Sequence, residues 1–384
     1  MSKHILFGII IILIGILSCN KDNKIFKPTP YTIEVPAFFP TELNITPDNP
    51  LTLEGITLGR FLFYDGRLSG RTEPDSLMSC SSCHLQSNAF ECGISHSKYT
   101  DGHPYGITGI FTPHVMLPLF NLVWNPNGYF WNGFIGTENP NPAKRTLEDV
   151  VWMGITAPHE MNGDTGKTVA LIQSIPGYPE LFKKAFGSEK VTMKNISRAI
   201  TQFIRTIISS NTKFDRYLRG KEQLAENELN GFVLFTSENG GDCFHCHGGE
   251  GNPLFTTNLF YNNGKDTAFT GAHEDLRDRY HVTGNLMDIG AYRAPTLRNI
   301  ELTAPYMHDG RFKTLDDVIN FYSENVVWSP YISTLMHHVG TSGIRLTLKE
   351  KSDLKAFIHT LQDDDLLSNP AYSQPAVFPD GSYK

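Results

Sequence analysis

The chain has no run of basic residues, and its 33 Lys and Arg are outnumbered by 40 Asp and Glu, for a formal charge of −7. Nucleic acid is therefore not an expected partner, because a phosphate backbone requires a clustered positive face. Charged residues are only 19% and hydrophobic ones reach 40%, which excludes a disordered chain. The 33 glycines and 23 prolines are too few for a low-complexity sequence. Strand-like alternation is scarce, and beyond the N-terminus no stretch is apolar for long enough to cross a bilayer. Cysteine is scarce too, six in 384 residues, but four of the six are grouped.

At this length two domains, or two plus an extra segment, are expected. Lys3 and His4 precede an apolar run from Ile5 to Leu17, too short for a spanning helix and of the right size for a secretory signal. It ends Ile16-Leu17-Ser18-Cys19, like a bacterial lipoprotein processing site. Residues 1–18 are then a signal peptide and Cys19 the lipidated N-terminus of an exported, periplasm-facing protein held to a bacterial membrane by its lipid alone. A plain signal peptide or a short anchor with an incidental cysteine is the simpler alternative. Residues 19–50 carry six prolines, from Pro28 to Pro50, which suits an extended tether.

The cysteines are Cys19, Cys80, Cys83, Cys92, Cys243 and Cys246. Four form two pairs with a histidine directly after each, Cys80-Ser-Ser-Cys83-His84 and Cys243-Phe-His-Cys246-His247. CxxCH is the attachment site of a c-type haem. Two thiols one helical turn apart reach the vinyl groups on one porphyrin edge, and the next histidine lies under the iron as proximal ligand. Composition alone gives roughly 0.003 chance matches, so two are hard to dismiss. A zinc site needs four ligands from compact pairs, a thioredoxin-like pair needs a βαβ context, and disulfides leave both histidines unexplained. Two covalent haems follow. Cys92 is left over as a buried or capped thiol.

The rest reads as helices and long loops. Apolar spacing predicts helices over residues 167–184, 193–217 with Gly220 as a stop, and 226–236 running into the second haem motif. Thr347 and Glu350 form a capping box opening a last helix to about Leu361. The loops, notably 93–145 and 237–300, are long for a compact body unless a cofactor fills them, and two haems supply that filling. The expected architecture is mainly α. It has two cytochrome c-like haem domains, at 51–220 and 221–384, with long loops and a lipoprotein signal peptide in front.

These residues resemble the bacterial di-haem cytochrome c peroxidase and MauG family. The order is CxxCH, Tyr129-Phe130-Trp131-Asn132-Gly133, Glu160-Met161 and Ile175-Pro176-Gly177-Tyr178. After the second CxxCH come Ala294-Pro295-Thr296-Leu297-Arg298-Asn299 and the run from Leu302 to Gly310. The resemblance covers roughly residues 50–365. It implies two α-helical haem domains with a calcium ion and a tryptophan between them, peroxide being reduced at the N-terminal haem and electrons entering at the C-terminal one.

Carried residue by residue, the resemblance makes His84 the proximal ligand of the first haem and Glu160 the acid/base that moves the proton between peroxide oxygens. Trp131 becomes the relay between haems, while Trp124, Trp152 and Trp328 are expected to be core. Where the family's activated members carry a distal histidine, this chain reads Ile107-Thr108-Gly109, with His114 in place of arginine. An open, five-coordinate iron is therefore expected, with His96 and His103 as competing ligands. Val150 and Gly154 replace the family's glutamine and proline, which makes the distal pocket more apolar or looser.

At the second haem His247 is proximal, and Tyr322 stands where the peroxidases have methionine and MauG has tyrosine. A phenolate favours oxidised iron. The alternatives are Met307, Met336, His337 and His338, or a packed aromatic in place of a ligand. The main-chain oxygens of Thr303 and Pro305 match the calcium ligands, but the expected asparagine is Val115.

The expected function is reduction of hydrogen peroxide to water with electrons from a small cytochrome c or copper protein. A MauG-like oxidase using high-valent iron to oxidise a partner protein, and a plain electron carrier, are the alternatives. A homodimer is a further expectation.

Overall fold

In a computed structural model, residues 26–97, 99–100, 103–249 and 251–383 are described; the expected signal peptide and Cys19 lie outside them. Among these residues the chain is mainly helical, and each half is founded on one pair of crossing helices. α1 (Leu53–Tyr64) begins where the Thr52 hydroxyl accepts from the Gly55 N–H. A long loop separates it from α2 (Leu147–Thr156), α3 (Thr165–Ser174), α4 (Tyr178–Phe186) and α5 (Met193–Arg205). α1 crosses α5 so closely that a Cβ on Gly59 would lie 1.9 Å from the Ala199 carbonyl oxygen.

α6 (Lys213–Leu218) leads to the second half, with α7 (Glu226–Phe235), α8 (Phe244–His247), α9 (Arg279–Thr283), α10 (Leu315–Glu324), α11 (Leu348–His359) and α12 (Asp364–Ser368). The same device recurs there: a Cβ on Gly231 of α7 would meet the Asp353 carbonyl of α11 at 1.9 Å. Both crossings press phenylalanines together, Phe63 on Phe203 in the first half, and Phe214, Phe235 and Phe255 around Phe357 in the second. Burial of each such ring stabilises the fold by about 1.5–3 kcal/mol. Among the described residues, strands are limited to two antiparallel two-residue ladders, β1 (Tyr99–Thr100) with β2 (His103–Pro104), and β3 (Phe260–Tyr261) with β4 (Tyr292–Arg293).

Several expectations are corrected. The helix over 167–184 is two helices, because Pro176 disfavours a helical Ile175 and the chain turns at Gly177 before α4. The helix over 193–217 is also two. Between α5 and α6 the N–H groups of Ser209, Ser210 and Asn211 donate to the side chains of Asn121 and Asp363 and not to helix carbonyls. The Thr347 and Glu350 capping box forms as expected, but α11 is followed by the short α12. Trp124 is buried, whereas Trp152 is 41% exposed and Trp328 65%. Trp152 falls just off the α2 stripe of Leu147, Val151 and Ile155 that faces the core.

The described part of the expected tether is extended but docked. Ile33, Phe39 and Leu51 are buried against Val123, Trp124 and Leu254, and Trp124 Nε1 donates to the Pro40 carbonyl at 2.7 Å. The tail beyond α11 crosses back to the first half, where Leu366 and Phe378 join the core around α1 and α5.

One buried ion pair ties α2 to α5. Arg205 donates to Glu148 through Nη1 (2.6 Å) and Nη2 (3.1 Å). Burial alone would raise the Glu148 pKa, but the guanidinium and Asn49 hold it at about 2. A carboxyl depressed in the fold stabilises above its unfolded pKa, near 4.5, and that contribution fades as pH falls toward 2. Arg205→Met is expected to destabilise the protein by about 3–5 kcal/mol in denaturant unfolding at pH 7, since it strands a buried carboxylate. A loss below about 1 kcal/mol would contradict this role.

Candidate functional site

Both CxxCH segments form one tight turn. His84 and Cys83 donate backbone N–H groups to the Cys80 carbonyl (2.9 and 3.2 Å), and His247 and Cys246 do the same to Cys243 (3.0 and 3.3 Å). Neither pair closes as a disulfide. Each histidine is tied through Nδ1 to a main-chain carbonyl, His84 to Phe90 (2.8 Å) and His247 to Pro295 (3.0 Å). A carbonyl only accepts, so Nδ1 carries the proton and Nε2 keeps its lone pair for a metal. Burial pushes both imidazoles down to about 4, so they are neutral at pH 7.

The second motif opens into a cavity, continuous with solvent, lined by Cys243, Cys246, His247, Leu297 and Tyr322 among mostly apolar neighbours. Zinc does not suit these motifs. Among the described residues the one group of at least three His, Cys, Asp or Glu side chains with converging ligand atoms is Asp242, His245 and His337, which includes no thiol and neither of the histidines that close the two motifs. A pair of thiols, a neutral imidazole with a fixed tautomer and an apolar hollow suit a flat, covalently held haem.

Around the first motif, burial and then the charge of Glu160 push the Cys80 thiol up to about 12, so the Glu160 carboxylate acts on the Cys80 side of the site. Burial lifts Glu160 itself to about 7. Its side chain nevertheless keeps 33% of its surface accessible, a route for small molecules to the carboxylate. The turn carrying it is fixed from two sides. Ile107 N–H donates to the Glu160 carbonyl at 2.9 Å, and Arg71 Nη1 donates to the next carbonyl, of Met161, also at 2.9 Å. Gly154 leaves room, since a Cβ there would lie 2.9 Å from Glu160 Oε2.

His159 was not singled out from sequence, yet its Nε2 lies 3.8 Å from Glu160 Oε1. Of the competing histidines, His103 Nδ1 donates to the Thr112 carbonyl at 2.9 Å, and the His96 backbone N–H donates to Gly93. His114, in the family's arginine position, pairs with Asp278 at 2.6 Å. Cys92 is fully buried.

A seven-residue hairpin recurs at 105–111, 129–135 and 306–312. In each, the first and seventh residues form an antiparallel bridge and the fifth, Gly109, Gly133 or Gly310, has φ of 77°, 73° or 64°. The pattern is tyrosine, three residues, glycine, one residue, then phenylalanine or isoleucine, and it could have been found in the sequence. The hairpins display Ile107, Trp131 and Met307 respectively. Trp131 is buried, lines the second cavity, and donates Nε1–H to the Val115 carbonyl at 2.9 Å. Thr303 and Pro305, the expected calcium ligands, lie on the same cavity, while Val115 offers no side-chain oxygen.

All four alternatives to Tyr322, namely Met307, Met336, His337 and His338, also line this cavity. Only Tyr322 and Met307 share a partner, since the Asn263 amide donates to Tyr322 Oη at 3.0 Å and reaches Met307 Sδ at 3.6 Å. Burial pushes the Tyr322 phenol well above its usual pKa, the Asn263 hydrogen bond opposing it. Asn263 was missed because nothing local links it to a residue 59 positions on.

Comparison with known proteins agrees with this geometry. The family model for di-haem cytochrome c peroxidases matches residues 53–223. The methylamine utilization protein MauG of Methylophilus methylotrophus is 30% identical, covering 82% of this chain and 84% of that one. The cytochrome c551 peroxidase of Nitrosomonas europaea is 34% identical, over 72% and 73% of the two chains. A crystal structure of a MauG-like protein associated with microbial copper homeostasis superposes with a TM-score of 0.76 at 34% identity, covering 90% of this chain and 99% of that one. The chain belongs to the di-haem cytochrome c peroxidase and MauG family, a family that carries two c-type haems.

Intact-mass measurement after expression with c-haem maturation is expected to show two covalent haems. The double variant Cys80→Ala, Cys83→Ala, and likewise Cys243→Ala, Cys246→Ala, should each retain one. Two haems in either variant would refute the assignment.

Proposed function

We propose that the protein is a di-haem peroxidase that converts hydrogen peroxide, two protons and two electrons to two waters, with electrons from a small cytochrome c or copper protein. The observation that carries this is a half-buried carboxyl, Glu160, lifted to about 7 and with its charge felt at Cys80, in a chain of this family. Haem held by Cys80, Cys83 and His84 would supply the redox chemistry with peroxide, and haem held by Cys243, Cys246 and His247 would supply electrons. Glu160, ionised, takes the proton from the nearer peroxide oxygen and returns it to the leaving oxygen. His159, held toward its neutral form by burial, stands 3.8 Å away, so a proton passing between the two would cross a bridging water. The Ile107 hairpin offers no ligating side chain at the Glu160 turn, to which its N–H is bonded. Trp131, hydrogen-bonded to Val115 and bordering the second cavity, relays charge between the sites.

The proposal extends to the remaining assignments. The folded halves 51–220 and 221–384 each serve one haem, and Cys19 anchors the exported chain to a bacterial membrane through lipid. Calcium at the Thr303 and Pro305 carbonyls would need several waters to reach its usual six to eight oxygens. Pairing as a homodimer is included.

With a pKa of about 7, Glu160 is protonated in acid and ionised above neutrality. Peroxide turnover should therefore rise between about pH 6 and 8. Glu160→Gln should cut kcat/KM for peroxide by about 10²- to 10⁴-fold and abolish that rise. Unchanged kinetics in this variant would refute the role of Glu160.

One observation favours a second reading, oxidation of a partner protein in the manner named for MauG. Tyr322 lines the second cavity with its hydroxyl held by Asn263, and a tyrosine ligand favours oxidised iron. Tyr322→Met is expected to make one haem easier to reduce in a redox titration. An unchanged titration would exclude Tyr322 as ligand and leave Met307.

A further inference from the structure

Asp242, just before the second CxxCH, His245, inside that motif on α8, and His337, in the turn after Met336, come together with one ligand atom from each lying within 4.8 Å of the others. The Asp242 carboxylate serves both rings. Its Oδ1 is 2.6 Å from His245 Nδ1, and its Oδ2 is 3.4 Å from His337 Nδ1. The two imidazoles meet edge to face with centroids 5.2 Å apart. A second carboxylate oxygen, Glu238 Oε1, stands 3.6 Å from His245 Nε2.

The framework is built and not a chance gathering of surface side chains. Asp242 is only 7% exposed at its side chain and has φ of 51°, a left-handed conformation that aspartate tolerates better than most residues. Its N–H donates to the Ser237 carbonyl at 3.1 Å. Across the gap, His338 Nε2 donates to the Glu238 carbonyl at 2.7 Å, which ties the His337 turn to the Asp242 loop. None of the three residues is used in the chemistry proposed above.

We infer that Asp242, His245 and His337 form a binding site for a divalent transition-metal ion of the zinc or copper(II) class, at the rim of the second cavity. Two imidazoles and one carboxylate suit these ions, whereas calcium and magnesium prefer all-oxygen cages. An ion bound tetrahedrally at about 2.0–2.1 Å holds its ligand atoms about 3.3 Å apart. With Oδ2 as the carboxylate ligand the spacing to His337 already matches, and His245 Nδ1 leaves Oδ1 to face the same ion. Water completes the fourth position, and Glu238 stands 3.6 Å from the outer His245 nitrogen as its carboxylate partner. A dication there sits next to Cys243, where its charge favours the reduced state of the group that Cys243 and Cys246 hold.

The test uses untagged, metal-stripped holoprotein. Equilibrium dialysis against Zn²⁺ alone should show one saturable equivalent. His337→Ala and His245→Gln should each weaken it at least tenfold while both haems are retained. Titration with Cu²⁺ should give an EPR signal with nitrogen splitting from two imidazoles in the native protein and from one in His337→Ala. Absence of saturable Zn²⁺ binding, or equal affinity in native protein and both variants, would overturn the site.

Discussion

The arrangement depends on two imidazoles that are buried, uncharged and locked in one tautomer by a main-chain carbonyl. A buried histidine with its Nδ1 proton spent on Phe90 or Pro295 has only the Nε2 lone pair left to offer. The second lines a hollow that the polypeptide does not fill. Close packing elsewhere makes such a hollow expensive unless something apolar occupies it. The long loops of both halves are then the walls of cofactor sites, and their lack of regular structure follows from wrapping a flat object.

What stabilises those walls is a repeated piece of backbone. Three seven-residue hairpins, each turning through a left-handed glycine, display Ile107 over the first site, Trp131 toward the second, and Met307 within it. A hairpin closed by its own bridge holds its tip without help from a sheet. The two glycine-pinched helix crossings, α1 on α5 and α7 on α11, supply the rigid base from which these tips project. The C-terminal tail then binds the halves together by returning Leu366 and Phe378 to the first core.

The two sites differ in the groups that face them. The first has Glu160 and His159 side by side, with the clearance that Gly154 leaves for the carboxylate. The second has Tyr322, Met307 and the asparagine that contacts both. That asymmetry is what a chain needs if one iron is to meet an oxidant and the other to exchange electrons. Val115 links the Trp131 and His308 hairpins, its carbonyl accepting from Trp131 Nε1 while its N–H donates to the His308 carbonyl.

Sequence by itself determined whatever is encoded within a few residues. Two thiols and a histidine in five positions are adjacent in any fold, and the Thr347 and Glu350 box needs only its own helical turn. The motif order that marks the family is likewise linear. Tertiary structure decided the rest. Helical spacing continued through Pro176 and through residues 206–212 because periodicity reports a face and not the partner that claims its N–H groups. Trp152 and Trp328 are exposed because burial depends on which face finds a neighbour. Asn263 on Tyr322 and His337 on Asp242 are meetings of side chains whose geometry no local pattern records, since each depends on how the loops fold over a cofactor-sized space.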